Sequence, residues 1–175
     1  MRDTVRTFLI ENVQPRPGRR GWHGGPTPLG AVRGVSAAQA AWAPAPGRKS
    51  TWQLALHIAY WNYAVRRSLA GGTRAQFPRT PSNWPRVPAT RDARHWALDV
   101  ALLKTEHEQL VAAIAAVSVR RYSTVPADGK RWTVGELIVG IAQHDAYHAG
   151  QIQLLKRLWT ATHARKLKSR RRSNA

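Results

Sequence analysis

The chain contains no cysteine, which excludes disulfide bonds, thiolate zinc sites and thiol nucleophiles. Any metal ion must therefore be held by imidazole and carboxylate groups. No run of about 18 apolar residues occurs, and the first twenty residues lack an apolar stretch followed by a small-residue cleavage site. We therefore expect a soluble, cytoplasmic protein without a membrane span.

Acidic residues are scarce, since 9 Asp and Glu stand against 28 Lys and Arg, a formal net charge of +19. Such a field attracts polyanions, so nucleic acid is one candidate partner. Most basic residues are scattered, but six lie close together near the C-terminus: Arg165, Lys166, Lys168, Arg170, Arg171 and Arg172. We expect residues 161–175 to form a disordered basic tail that supplies only non-specific affinity.

Helix starts are marked by a Ser or Thr that is followed three residues later by Gln or Glu. At this spacing each side chain can accept from the backbone N–H of the other residue. The pattern occurs at Ser36 with Gln39, at Ser50 with Gln53 and at Thr133 with Glu136. A fourth start is predicted near Thr90, with Asp92 in the first helical turn.

Apolar residues spaced by threes and fours predict three long helices. They span residues 50–70, 91–116 and 133 to at least 158. A shorter helical region, interrupted by Gly and Pro, precedes Ala43, and almost no alternating strand pattern is present. A chain of 175 residues with 43% hydrophobic content can bury one core. The predicted fold is all-α, a four-helix bundle with long crossover connections.

Two connections are longer than a compact bundle requires. They cover residues 71–90 and 118–132, and the first contains four prolines. Loops of this length in compact domains tend to be functional lids or mobile spacers.

His144 and His148 lie four residues apart in the last predicted helix. Four residues turn an α-helix by about 400° and advance it by roughly 6 Å, so both imidazoles project from one face. Ile141 and Ile152 place this face toward the core. Two imidazoles in an apolar interior need polar partners, and a shared cation supplies one.

His57 is the candidate third ligand, because it lies mid-helix between the inward-facing Leu54 and Trp61. Taken alone, it is better interpreted as a core histidine that donates to a carbonyl or a tyrosine hydroxyl. Beside an inward-facing pair on another long helix, a three-histidine metal site becomes the favoured hypothesis. Without a fourth protein ligand, such a site keeps an open position, as catalytic sites do.

Three other side chains near these histidines have predicted roles. His107, on the apolar stripe of helix 91–116, is interpreted as a core histidine in preference to a group that supports the metal. Asp145 points about 100° away from His144, and we expect it in an interhelical salt bridge. Gln151 is expected to hydrogen-bond near the metal or to a neighbouring helix.

Four segments of the chain resemble one known family. They are GWHGGPTPLGAVRGVSAAQAAWAPAPG, LALHIAYWNYAVRRSLAGG, FPRTPSNWP and GIAQHDAYHAGQIQLLKRL. Together they resemble the DinB-like superfamily of bacterial four-helix-bundle proteins, over about residues 21–158. The two histidine-containing segments are the specific part of the resemblance.

The resemblance implies a divalent metal ion held by His57, His144 and His148. Nickel or zinc is the expected ion, with manganese and iron as alternatives. It also implies frequent homodimers and a metal face open to solvent or substrate. Relatives include thiol-dependent transferases and isomerases, which implies an unidentified small-molecule substrate and a low-molecular-weight thiol as partners.

The favoured hypothesis is a divalent-metal-dependent enzyme, either a hydrolase or a thiol-dependent transferase, acting through water or a thiol on the metal. The alternatives are a non-catalytic metal-binding stress-response protein and a nucleic-acid-associated protein that uses the basic surface and tail. The chain is divided into a variable basic N-terminal segment, a helix-bundle domain and the basic tail, with bounds at residues 1–20, 21–160 and 161–175.

Overall fold

The structure, a computed structural model, describes residues 4–19, 24–72, 76–127 and 131–173, with side chains described as far as residue 164. The helices in these ranges are α1 (Thr4–Val13), α2 (Pro28–Val32), α3 (Ala37–Ala41), α4 (Thr51–Leu69), α5 (Ala93–Ala116) and α6 (Val134–Ser173), with a 3₁₀ turn at Val119–Arg121. No strand occurs in the described ranges, so the predicted all-α class is confirmed.

The predicted starts of α4 and α6 are confirmed by reciprocal hydrogen bonds. At α4, Gln53 N donates to Ser50 Oγ at 3.3 Å and Ser50 N donates to Gln53 Oε1 at 3.0 Å. At α6, Glu136 N donates to Thr133 Oγ1 at 3.3 Å and Thr133 N donates to Glu136 Oε2 at 2.7 Å. Both helices therefore begin where their own side chains satisfy exposed backbone N–H groups.

α5 begins slightly after the predicted start near Thr90. Asp92 caps the helix, because its Oδ1 accepts from His95 N at 2.8 Å. The Asp92 side chain thus precedes the first helical turn and does not lie within it. Ser36 caps α3 in the same manner, accepting from Gln39 N at 3.2 Å.

α1 is a helix that the sequence analysis did not anticipate, since residues 1–20 are assigned there to a variable segment. Leu9 and Val13 lie four apart and are both buried, in one cluster with side chains of α5 and α6. Arg6 Nη2 donates to Val117 O at 3.0 Å, which links the helix to the end of α5. Part of this segment therefore belongs to the core.

The core consists of two clusters of buried side chains that meet along α4. The largest fully buried members of the first are Trp52, Leu56, Ile58, Leu103 and Ile152. Those of the second are Leu110, Ile114, Val134 and Ile138. α4 contributes to both clusters, and His57 lies within the part of the helix that belongs to the first.

α6 is the longest helix of the described chain. Lys156 Nζ donates to the carbonyl oxygens of Ala31 and Arg33, both at 3.1 Å, which holds α6 against α2. The helix continues to Ser173, into the segment for which the sequence predicts a disordered tail. The side chains of the predicted basic cluster, from residue 165 onward, lie outside the described residues. Across the described helices, none combines the length and the apolar character needed to cross a membrane.

Candidate metal centre

Three histidines from two helices meet at one point. His57 comes from α4, and His144 and His148 come from α6. Nε2 of His57 lies 3.1 Å from Nε2 of His144, and one ring nitrogen from each histidine lies within 4.8 Å of the others. The prediction that these side chains come together is therefore confirmed.

The His57 ring is oriented by the loop that precedes α5. Its Nδ1 forms a hydrogen bond with the main-chain oxygen of Asn83. A carbonyl oxygen only accepts, so Nδ1 carries the proton and Nε2 keeps its lone pair. Asn83 has a φ of 68°, a left-handed conformation that Asn adopts more readily than most residues. The residue in this conformation is the one whose carbonyl oxygen contacts His57.

The rings of His144 and His148 are oriented by residues of their own helix. Nδ1 of His148 donates to Gln151 Oε1 at 2.7 Å, and Nδ1 of His144 lies 3.4 Å from Asp145 Oδ1. Asn62 Nδ2 holds the Asp145 carboxylate from α4, at 3.0 and 2.9 Å from its two oxygens. These contacts engage Nδ1 of both rings and leave Nε2 of each available as a ligand atom, as in metal-ligating histidines.

The arrangement fits a cation better than it fits packed neutral side chains. When Nδ1 is the protonated atom of each ring, Nε2 of His57 and Nε2 of His144 both carry lone pairs and no proton lies between them. A tetrahedral ion bound at about 2.0–2.1 Å would separate two such nitrogens by about 3.3 Å. The observed 3.1 Å is close to this separation.

Burial keeps two of these imidazoles neutral. The pKa of His57 is lowered from 6.5 to about 4, chiefly by burial, and the neighbouring His144, His148 and Lys49 act in the same direction. The hydrogen bond with Asn83 opposes this shift. Burial also lowers the pKa of His148. Neutral imidazole is the form that binds a metal, so the protein environment favours the ligand state.

The loop that carries Asn83 is fixed to the core by a buried carboxylate. Asp99 on α5 is fully buried and accepts from Arg79 Nε at 3.0 Å and Nη2 at 2.7 Å. Its other oxygen accepts from Trp52 Nε1 of α4 at 2.8 Å. The long connection predicted at residues 71–90 is therefore ordered against both helices in its described part.

Trp84 and Lys49 complete one wall of the centre. The Trp84 ring stacks on His57, with centroids 3.8 Å apart and planes at 7°. Lys49 Nζ lies 4.4 Å from the Trp84 ring centroid. Trp61 Nε1 donates to Asn83 Oδ1 at 2.9 Å and holds the loop from α4. The sequence analysis assigned no role to these residues, because their contacts join segments far apart in the chain.

The other predicted side chains have separate outcomes. Asp145 does not form the expected interhelical salt bridge within the described residues, because its partner on α4 is the uncharged Asn62. Gln151 bonds His148, as one of its predicted roles required. His107 is buried and lies outside the three-histidine group, in agreement with a core histidine. Burial lowers the pKa of His107.

A cavity of about 850 Å³ opens beside the histidines. In the described part of the chain, no carboxylate joins the three rings to form a larger ligand group. Three nitrogen ligands with access to a cavity leave a coordination position for water or substrate, which is typical of catalytic sites.

Comparison with known proteins gives one match. A family model described as the DinB superfamily matches residues 28–152, which include all three histidines and the loop around Asn83. No curated protein and no solved structure matches the chain. The matched range leaves out α1 and the end of α6.

Proposed function

The chain belongs to the DinB superfamily, and on this basis we propose that it is a divalent-metal-dependent enzyme of the hydrolase or thiol-dependent transferase type. The observation that carries the proposal is the convergence of three imidazoles, one ring nitrogen of each lying within 4.8 Å of the others. His57, His144 and His148 would hold the ion, and an all-imidazole set favours zinc or nickel over magnesium or calcium.

A divalent ion bound by neutral imidazoles supplies a Lewis acid, which lowers the pKa of a water or thiol that binds to it. The residues of the chain position this group. Asn83, Asp145 and Gln151 contact Nδ1 of the three rings and leave Nε2 of each available to a ligand. Trp84 covers one face of His57 and keeps water from that side. The remaining open side faces the cavity, where a substrate would enter.

The open cavity favours an enzyme over a non-catalytic metal-binding protein. A purely structural metal site usually has four protein ligands and is closed to solvent. The described residues supply three ligands, and Tyr147 and Lys49 at the cavity wall are exposed to solvent. This geometry supports ligand exchange at the proposed ion.

We also propose that α1, α4, α5 and α6 are the four helices of the bundle implied by the family. The burial of Leu9 and Val13 with Leu110 and Ile138 supports this assignment of α1. The crossover connections would then be the segments between α1 and α4 and between α4 and α5.

Metal content is the direct test of the proposal. Untagged protein should contain about one equivalent of zinc or nickel by elemental mass spectrometry. His57→Ala and His148→Ala should each lose it, because both remove a ligand. His95→Ala is the matched control, since His95 pairs with Asp92 at the start of α5 and lies outside the histidine group.

Folding of each variant is checked by circular dichroism before its metal content is interpreted. If a variant is unfolded, His57→Gln and His148→Gln, which keep polar side chains of similar length, replace the alanine variants. Metal-free wild-type protein after incubation with zinc, nickel, manganese and iron would contradict the proposal. Equal metal content in wild type and folded histidine variants would contradict the ligand assignment.

A further inference from the structure

A second cavity adjoins the histidine centre. It has a volume of about 760 Å³ and lies between α4 and α6. Trp61 and His144 line both this cavity and the one that contains the three histidines. The two cavities are therefore neighbours at His144, one of the proposed metal ligands.

The first cavity is positively charged. Arg48 and Lys49 line it, and no Asp or Glu is among its lining residues. In the described part of the chain Lys49 forms no ion pair, and its Nζ is placed by the ring of Trp84. Trp84 in turn stacks on His57, so one indole ring contacts both the ammonium group and a histidine of the proposed metal site. This cavity is complementary to an anion.

The second cavity, which we call the α4–α6 groove, is mainly apolar. Its walls include Val65 of α4 and Leu137, Val139 and Ile141 of α6, and Trp132 lies at its far end. Glu136 is the one carboxylate among its lining residues. This carboxylate accepts hydrogen bonds from Thr133 N and Oγ1 at the start of α6. The groove is complementary to an apolar chain or ring.

Gly140 forms an open part of the groove floor. A Cβ atom built at Gly140 meets no atom within 4 Å, so the space beside this helical residue is empty. Gly150 on the same helix also has no atom within 4 Å of a built Cβ, but it lines neither cavity. Both glycines therefore have room for a side chain, but only Gly140 lines the groove.

We propose that the substrate is a small amphipathic anion. Its anionic group lies beside Lys49, its reacting group lies at the three histidines, and its apolar group occupies the α4–α6 groove. This inference rests on the proposed function and specifies the substrate class of the same site.

The probe is a series of 2-mercaptoalkanoates, in which a thiol, a carboxylate and an alkyl chain share one carbon atom. Binding to the Co²⁺-loaded chain is followed by the thiolate-to-cobalt charge-transfer band in the near ultraviolet. From 2-mercaptoacetate to 2-mercaptooctanoate, the dissociation constant should decrease by about two- to fourfold for each added methylene that enters the groove.

Gly140→Leu tests the groove, and Gly150→Leu is its matched control. The isobutyl group introduced by Gly140→Leu would fill the space that the alkyl chain needs. The dissociation constant should then no longer change with chain length, while 2-mercaptoacetate still binds. Gly150→Leu places the same side chain on the same helix and should leave the whole series unchanged. Both changes replace a helical glycine by a better helix former, so neither is expected to unfold α6.

Lys49→Met tests the anion site, and Lys104→Met, on the exposed face of α5, is the matched control. The wild-type chain should bind 2-mercaptooctanoate about tenfold more tightly than the neutral 2-mercaptooctanamide, since hydrogen bonds between charged groups are the stronger kind. Lys49→Met should remove this preference, and Lys104→Met should retain it.

The outcomes separate this inference from the proposed function. If the band forms but the thiol dissociation constants do not depend on chain length or on charge, the substrate class is wrong and the metal site stands. The absence of the band with every thiol would overturn the proposed function and this inference with it. If sedimentation shows a dimer, and Gly140→Leu dissociates it without changing thiol affinity, the groove belongs to the dimer interface and the inference is wrong.

Discussion

Two clusters of polar side chains contact α4, one around Asp99 and one formed by the three histidines. They differ in whether their donors and acceptors are matched. Around Asp99, one carboxylate receives three hydrogen bonds from Arg79 and Trp52, so opposite charges and donors are matched. At the histidine centre, two atoms of the same kind, Nε2 of His57 and Nε2 of His144, lie 3.1 Å apart. The first group is complete as the protein stands, whereas the second is one that a bound cation would complete.

The difference shows how a structural polar cluster is distinguished from a candidate binding site. A buried group with matched partners needs nothing further, whereas converging groups of one kind indicate a ligand. One loop joins the two clusters, because it supplies Arg79 to the first and Asn83 to the second. The matched cluster thus fixes the loop that orients His57.

The largest expected effect is on stability, from Asp99→Asn. An amide cannot balance the Arg79 charge, and weakening three hydrogen bonds to a buried carboxylate should cost about 3 kcal/mol or more of the free energy of unfolding. Urea denaturation measures this loss. Glu108→Gln, at the exposed Lys104 pair, is the control and should cost less than about 0.5 kcal/mol. Equal losses in the two variants would contradict the structural role of Asp99.

Metal should stabilise the chain through the histidine centre alone. At a free zinc concentration of about one hundred times the dissociation constant, the free energy of unfolding should rise by about 2.7 kcal/mol. Folded Asp99→Asn should show the same increase, since its three histidines remain, whereas His148→Ala should show none. Thermal unfolding with and without a chelator measures the difference. A metal response in His148→Ala would show that the ion binds elsewhere.

Gln151→Leu should weaken metal binding without removing it. The substitution deletes the acceptor that orients the His148 ring, and losses of this kind usually cost about tenfold or more in metal affinity. Competition with a chromophoric chelator measures the affinity. Gln153→Leu, two residues along α6, changes a side chain outside the histidine cavity and is the control. If both variants bind equally, Gln151 does not position the ring.

The smallest expected effect is that of mild acid on the metal-free chain. The pKa values of His57, His107 and His148 are lowered on folding, so the unfolded chain binds more protons below pH 6.5. Stability should therefore decrease as pH falls from 7.5 to 6.5, by at most about 1 kcal/mol in all, and continue to decrease toward the His57 pKa of about 4.

Bound metal should not remove this dependence and should steepen it, because the ion holds its histidine ligands unprotonated whereas the unfolded chain still takes up protons. Denaturation at several pH values, with and without zinc, tests both statements. A stability that rises on acidification from pH 7.5 to 6.5 would show that the histidines are not held neutral in the folded chain.

The sequence by itself determined the long helices α4, α5 and α6 and the three histidines that come together. The starts of α4 and α6 depend on side chains three residues apart, and the pairing of His144 with His148 depends on a spacing of four. His57 could be added because the apolar residues around it mark the buried face of its helix. Each of these inferences uses the period of one α-helix, which the local sequence contains.

The tertiary structure alone decided what surrounds the histidines. The Asn83 carbonyl, the stack of Trp84 on His57 and the position of Lys49 join segments that are distant along the chain. No local period encodes such contacts, because they depend on how a long loop packs once Asp99 and Arg79 have met. The burial of α1 was missed for the same reason, since Leu9 and Val13 form too short a pattern to predict which helices they contact.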